Sequence, residues 1–174
     1  MRICNFVLVA MFVLYPLGAF ASNIDPAGEG LHYAWGENVG WVNLKPSSGF
    51  GMIVTDALVV GYAWGENVGW INLAPSGDGV INDGEGNLSG HAWGENVGWI
   101  NFAPTSGGVT IDPTTGDFSG YAWGENTGWI NFAPTEGGVK TSWEVSPELG
   151  SDDDGDSRII RGCFIGTAGS SFSW

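Results

Sequence analysis

Residues 118–123 and 129–132 alternate between polar and apolar side chains, the period-two signature of strands that bury one face. Between them stands Gly-Glu-Asn-Thr-Gly at 124–128. This reads as a tight reversal, because Gly and Asn tolerate positive φ. A third strand is expected over 109–112, and Pro113-Thr114-Thr115-Gly116 makes the turn into the next hairpin. Three short strands thus account for one stretch of about thirty residues.

The same pattern recurs along the chain. The undecapeptide [YH]-A-W-G-E-N-[VT]-G-W-[VI]-N begins at Tyr33, Tyr62, His91 and Tyr121, with eight of its eleven positions identical in all four copies. Each copy is followed by an apolar residue (Leu44, Leu73, Phe102, Phe132) and then by Pro46, Pro75, Pro104 or Pro134. A period near 29 residues marks a repeat architecture in which each unit buries its apolar face on its neighbours. The expectation is an all-β fold of four tandem units of short antiparallel strands.

Sorting side chains by strand face divides each unit in two. Tyr121 and Trp123 share one face opposite Ala122, and Trp129 and Asn131 share one opposite Ile130 and Phe132. The Ala/Ile/Phe face is core. The Trp/Tyr/Asn face has two readings: a hairpin clamped by cross-strand aromatic contact, which is the favoured one, or a row of platforms for sugar rings. In the second reading the ligand groups are Trp35, Trp64, Trp93 and Trp123 with Glu37, Asn38, Glu66, Asn67, Glu95, Asn96, Glu125 and Asn126. Those four Glu also bear on architecture. In a parallel β-solenoid they would stack about 4.8 Å apart and repel. A toroid or twisted hairpin array is therefore favoured, unless calcium occupies every turn. The first unit lacks a Gly-Gly-Val strand that residues 137–145 could supply, which would close the array.

Composition agrees with strands and turns. The 174 residues include 30 Gly and 10 Trp but only 5 Lys and Arg together, too few helix formers for long amphipathic helices. Residues 1–21 read as a signal peptide: Arg2, an apolar stretch, and Ala19-Phe20-Ala21 as the cleavage site, with Ala21 the last residue removed. The expected product is secreted or held at a bacterial cell surface, without a transmembrane span. Removing Arg2 shifts the formal net charge from −14 to −15. No Lys/Arg cluster exists to hold phosphates, so a nucleic-acid partner is not expected. Cys4 leaves with the leader, so Cys163 has no partner within the chain.

The expected organisation is a leader (1–21), a four-repeat β domain (22–145), an acidic linker (146–160) and a tail (161–174). Asp152, Asp154 and Asp156 in the linker alternate as in a calcium loop, but the sixth and twelfth positions are Ser157 and Cys163 rather than Gly and Glu. A solvated linker is the simpler reading. Calcium remains the one cofactor that the acidity suits. The tail, Arg161-Gly162-Cys163-Phe164-Ile165-Gly166-Thr167-Ala168, resembles the Gly-Cys-Phe-Ile-Ala-Thr-Ala-Ala motif of many exported bacterial proteins, with Gly166 in place of Ala. That resemblance implies a sorting or surface-retention segment processed at Cys163. The alternative is a final strand with Cys163 as a small buried hydrophobe. The repeat itself is similar to Trp-rich Gly-Tyr-Ala-Trp-x-Glu-Asn-x-Gly-Trp-Ile-x-Phe repeats of uncharacterised secreted bacterial proteins, a resemblance that implies no activity.

Catalysis is not expected. His32 and His91 occupy non-equivalent repeat positions, so neither Ser-His-Asp nor Cys-His chemistry assembles. Identical carboxylates in every copy are unlike the single asymmetric pair of a glycosidase. Zinc, P-loop and dinucleotide patterns are missing. Two functions remain: a structural or cell-surface protein whose partners are itself or the cell envelope, or a multivalent module for glycans. Buried repeat Trp would favour the first, and Trp open beside Glu and Asn would favour the second.

Overall fold

A computed structural model describes residues 22–145 of the chain. Each undecapeptide folds as one hairpin: β1 (His32–Gly36) with β2 (Gly40–Asn43), β5 (Tyr62–Gly65) with β6 (Gly69–Asn72), β9 (His91–Gly94) with β10 (Gly98–Asn101), and β12 (Phe118–Gly124) with β13 (Gly128–Asn131). The segments between them supply β3 (Ile53–Val54), β4 (Leu58–Val60), β7 (Val80–Asn82), β8 (Leu88–Ser89), β11 (Gly108–Ile111) and β14 (Gly138–Val139).

The four hairpins pair side by side, β2 with β5, β6 with β9, β10 with β12, and β13 back onto β1. The result is a closed, antiparallel, eight-stranded barrel, a toroidal array rather than a solenoid. Closure removes the free strand edges that an open sheet would leave.

Alternation along the short strands decides what fills the barrel. Ala34, Ala63, Ala92 and Ala122 are at most 1 % exposed, and Val42, Ile71, Ile100 and Ile130 at most 3 %. With Leu44, Leu73, Phe102 and Phe132 they pack so tightly that the axial space left among them is about 20 Å³. That is room for about one water molecule, so the barrel is a packed core and not a pore. Val39, Val68, Val97 and Thr127 turn inward from the hairpin tips and close one end. Thr127, the odd member of that set, donates its hydroxyl to the Gly128 carbonyl at 3.1 Å.

The intervening segments continue the core as a second ring. Strands β3, β4, β7 and β8 form an antiparallel sheet, which Asn87 and Thr110 link to β11. The ring then runs through β12 to Lys140 and from Thr141 to Ile24. Asn23 completes it by bonding both backbone groups of Val54, at 2.8 and 2.9 Å. Residues 137–145 do complete the first unit: Val139 lies opposite His32, Gly138 opposite Tyr33, and Ser142 donates to the Asn23 carbonyl. Trp143 is buried beside this seam, and its indole N–H donates to Asp56 at 2.8 Å.

The tips use only part of the tolerance for positive φ that their residues offer. In each tip only the second Gly has positive φ (Gly40 74°, Gly69 77°, Gly98 76°, Gly128 66°); the Asn do not. The paired Gly36 and Gly40 enclose three residues, and Val39 donates back to the Gly36 carbonyl. This is a type I turn followed by a left-handed Gly, whose twist suits a hairpin. The Asn contributes through its side chain rather than through a left-handed backbone.

Candidate functional site

Asn38, Asn67, Asn96 and Asn126 each reach sideways to the previous hairpin. Their Nδ2 atoms donate to the carbonyls of Thr127, Val39, Val68 and Val97 at 3.3, 3.2, 3.0 and 3.1 Å. Four such bonds form a belt around the mouth of the barrel. The receiving hairpin presents Gly there: a Cβ at Gly128 would stand 2.8 Å from the Asn38 amide nitrogen. The strand-end residues Asn43, Asn72, Asn101 and Asn131 accept from the N–H two residues on, at 2.8 to 3.0 Å, and so turn the chain toward the following Pro. Two of the polar positions in every repeat therefore have structural work.

The outer face of the barrel is aromatic. Directly opposite positions in each hairpin hold Trp35 and Trp41, Trp64 and Trp70, Trp93 and Trp99, Trp123 and Trp129. Their ring centroids are 4.8 to 5.0 Å apart, steeply inclined, in the edge-to-face manner that suits the ring quadrupoles. Tyr33, Tyr62, His91 and Tyr121 lie edge-on to the second Trp at 6.1 to 6.2 Å. The clamp expected from the sequence is present, yet it is not buried. All eight Trp are between 37 and 47 % exposed.

Where one hairpin meets the next, these side chains wall a groove. Between β2 and β5 it has a volume of about 570 Å³, with Trp41 and Asn43 on one side and Trp64, Glu66 and Asn67 on the other. Between β10 and β12 the same positions recur as Trp99, Asn101, Trp123, Glu125 and Asn126, around about 370 Å³. Between β13 and β1 they are Trp129, Asn131, Trp35, Glu37 and Asn38, around about 670 Å³. Asn72 opposite Trp93 sets the same register between β6 and β9, and the exposed Phe50 stands beside Tyr62 and Trp70 of the β5/β6 hairpin.

The structure therefore brings together the Trp, Glu and Asn that the sequence singled out in three of the four repeats, against the neighbouring repeat rather than within one, whereas Trp93, Glu95 and Asn96 line none of these grooves. It adds Trp41, Trp70, Trp99 and Trp129 and the strand-end Asn to the walls. Period-two sorting had already placed those on the same face, so the signal was there. Missing from the sequence was which hairpin neighbours which.

The electrostatics are lopsided. Glu37, Glu66, Glu95 and Glu125 are exposed on the rim. Among the described residues, ion pairs join His32 to Asp25, His91 to Asp78 and Lys140 to Asp117, none of them involving a rim Glu. At the third repeat, the Gly79 N–H foremost, helped by the His91 ring, holds the Asp78 carboxyl below the usual range against the opposing effect of desolvation. Asp25 is nearly buried, which pushes its carboxyl up. The Glu29 N–H, the His32 ring and the N–H groups of Gly30 and Leu31 together outweigh this and hold it below its ordinary value.

Among the described residues no group of three or more His, Cys, Asp or Glu converges as a cation site would. Asp152, Asp154, Asp156, Ala21 and Cys163, the metal and processing candidates, lie outside the described residues. Within the described residues no helix is long and apolar enough to cross a membrane. No family model matches the chain, and no curated protein or solved structure matches it significantly.

Proposed function

We propose that this chain is an exported, non-catalytic binding module that presents equivalent saccharide-binding grooves around a rigid barrel. The observation that carries this reading is the exposure of all eight repeat Trp, six of which line three grooves that each add an Asn and a Glu. An indole face covers the apolar side of a pyranose, while amide and carboxylate oxygens accept from its hydroxyls. The walls are held by the barrel ladder and the Asn belt, so little ordering cost falls on binding. Repeated weak sites on one scaffold raise effective concentration, and avidity gains of about 10²–10⁴ follow where a polymer spans two of them.

The second reading is a structural protein of the cell envelope, supported by the near-identity of the repeats. A closed barrel leaves no strand edge for lateral addition, so assembly would have to use the aromatic girdle itself. The two readings separate on a glycan array followed by Trp fluorescence titration. Quenching by at least one saccharide class supports the grooves; no binding across broad sugar classes removes the module and leaves the structural reading. Processing at Ala21 and Cys163 is checked by the intact mass of the secreted protein.

A further inference from the structure

The grooves carry negative charge and no positive charge to balance it. Residues 22–145 hold fourteen acidic side chains, with Lys45 and Lys140 as their only lysines and no arginine. Both lysines are engaged elsewhere. The Lys45 ammonium donates to the Asp25 carbonyl at 2.7 Å, and Lys140 pairs with Asp117 at 3.2 Å. The wall opposite Glu37, Glu66 and Glu125 is indole, whose face attracts cations. A groove of this kind, with carboxylate at the tip and aromatic sides, favours a ligand that brings a positive charge.

One groove goes further than the others. Between β2 and β5, Glu136 reaches in from the loop after β13, so that Glu66 and Glu136 both line the groove walled by Trp41 and Trp64. The corresponding loop position beside the β13/β1 groove is Ser106.

We infer that these grooves select saccharides carrying a protonated amine, and that the Glu66/Glu136 groove is the tightest of them. This rests on the saccharide-binding reading above and names its ligand class. The sugar ring stacks on indole, and its ammonium lies near the carboxylates. Acetylating the amine removes both the charge and the cation–π attraction while keeping the ring.

The test compares glucosamine oligomers with their N-acetylated counterparts of equal length on the full secreted chain, by Trp fluorescence and calorimetry at low and high salt. The expected result is about tenfold tighter binding of the amine form, from a cation–π and charge contribution near 1–2 kcal/mol. Added salt and the double variant Glu66→Gln/Glu136→Gln should each shrink that gap, the variant weakening the amine form more than the N-acetylated form. Near-UV circular dichroism checks that the barrel is intact. Equal affinity for both oligomers overturns the charge selection and leaves the saccharide reading standing. Failure of both oligomers to bind, with other sugar classes also silent, overturns both. Amine binding that survives the double variant and Trp41→Ala reflects diffuse attraction to an acidic chain and overturns the site. Displacement by spermine as effective as by the amino-oligosaccharide overturns the sugar component.

Discussion

Asn67 and its three equivalents test what holds the groove walls in place, because their amide nitrogens tie hairpin to hairpin whereas the neighbouring Glu make no internal bond. Replacing Asn67 by Ala removes the 3.2 Å bond to the Val39 carbonyl. The residue is exposed, so water can replace the lost donor, and the cost should lie at about 0.5–1 kcal/mol, the low half of the hydrogen-bond range. For a domain of this size that lowers Tm by about 2–4 °C. Asn67→Asp should cost more, since it aims an oxygen at a carbonyl oxygen and adds a charge beside Glu66. Removing all four Asn should cost about 2–4 kcal/mol, and more than the sum of the singles if the belt acts as a unit. Glu66→Gln is the control: it loses no internal bond, so its Tm should hold or rise as the rim loses a charge. Thermal melts by circular dichroism on the four variants decide it. A quadruple Asn variant that melts within a degree of the wild type, or a Glu66→Gln melting as low as Asn67→Ala, refutes the assignment of Asn to the scaffold.

Three further outcomes follow from the second ring. Gly120→Ala places a methyl group 1.8 Å from the Gly108 carbonyl oxygen at φ 83°, whereas Gly77→Ala at φ 88° meets nothing within 4 Å. The first should unfold the domain or cost more than about 3 kcal/mol, the second only about 1 kcal/mol, as compared by urea midpoints. The Asp25 carboxyl titrates below its ordinary 3.8 in the folded chain, so its contribution is complete above that pH and is lost as pH falls through the lower folded value. Asp25→Asn should therefore melt lower than the wild type at neutral pH, and the gap should close only below about pH 3.8, as a series of melts would show. Trp143→Ala should cost about 3–5 kcal/mol through the cavity it leaves, and Trp143→Phe about 1 kcal/mol for the lost bond to Asp56, again by urea midpoints.

Much of the barrel could be read from the sequence, because one face of each strand is buried and the period of two then assigns every side chain. Ala122 inward and Trp123 outward needed no coordinates. The repulsion expected of stacked Glu argued correctly against a solenoid, and the spare Gly-Gly-Val at 137–139 pointed to the strand that pairs with β1. What local pattern could not carry was contact between units. Asn38 looks like a turn former because Asn commonly supports one, yet its partner is the Thr127 carbonyl, 89 positions away. The groove walls are hidden for the same reason, since Trp41 and Trp64 belong to different repeats. Trp143 stands outside the undecapeptides, and nothing around it in sequence announces a bond to Asp56. The preference for burying indole also misled: on an eight-stranded barrel the interior is filled by Ala, Ile and Phe, which leaves only the outside for eight Trp.

The seam between Asn23 and Ser142 has a consequence for how the chain can be cut. Three of the outer segments turn back on themselves, whereas the fourth is made of two strands from opposite ends of the described domain. The circle of hydrogen bonds does not distinguish this junction from the others. Joining residues 22 and 145 with a short linker and opening the chain at Gly84 or Thr114 should yield the same barrel from a permuted order. Two half-chains, each carrying two undecapeptides, should likewise find one another and complete the circle.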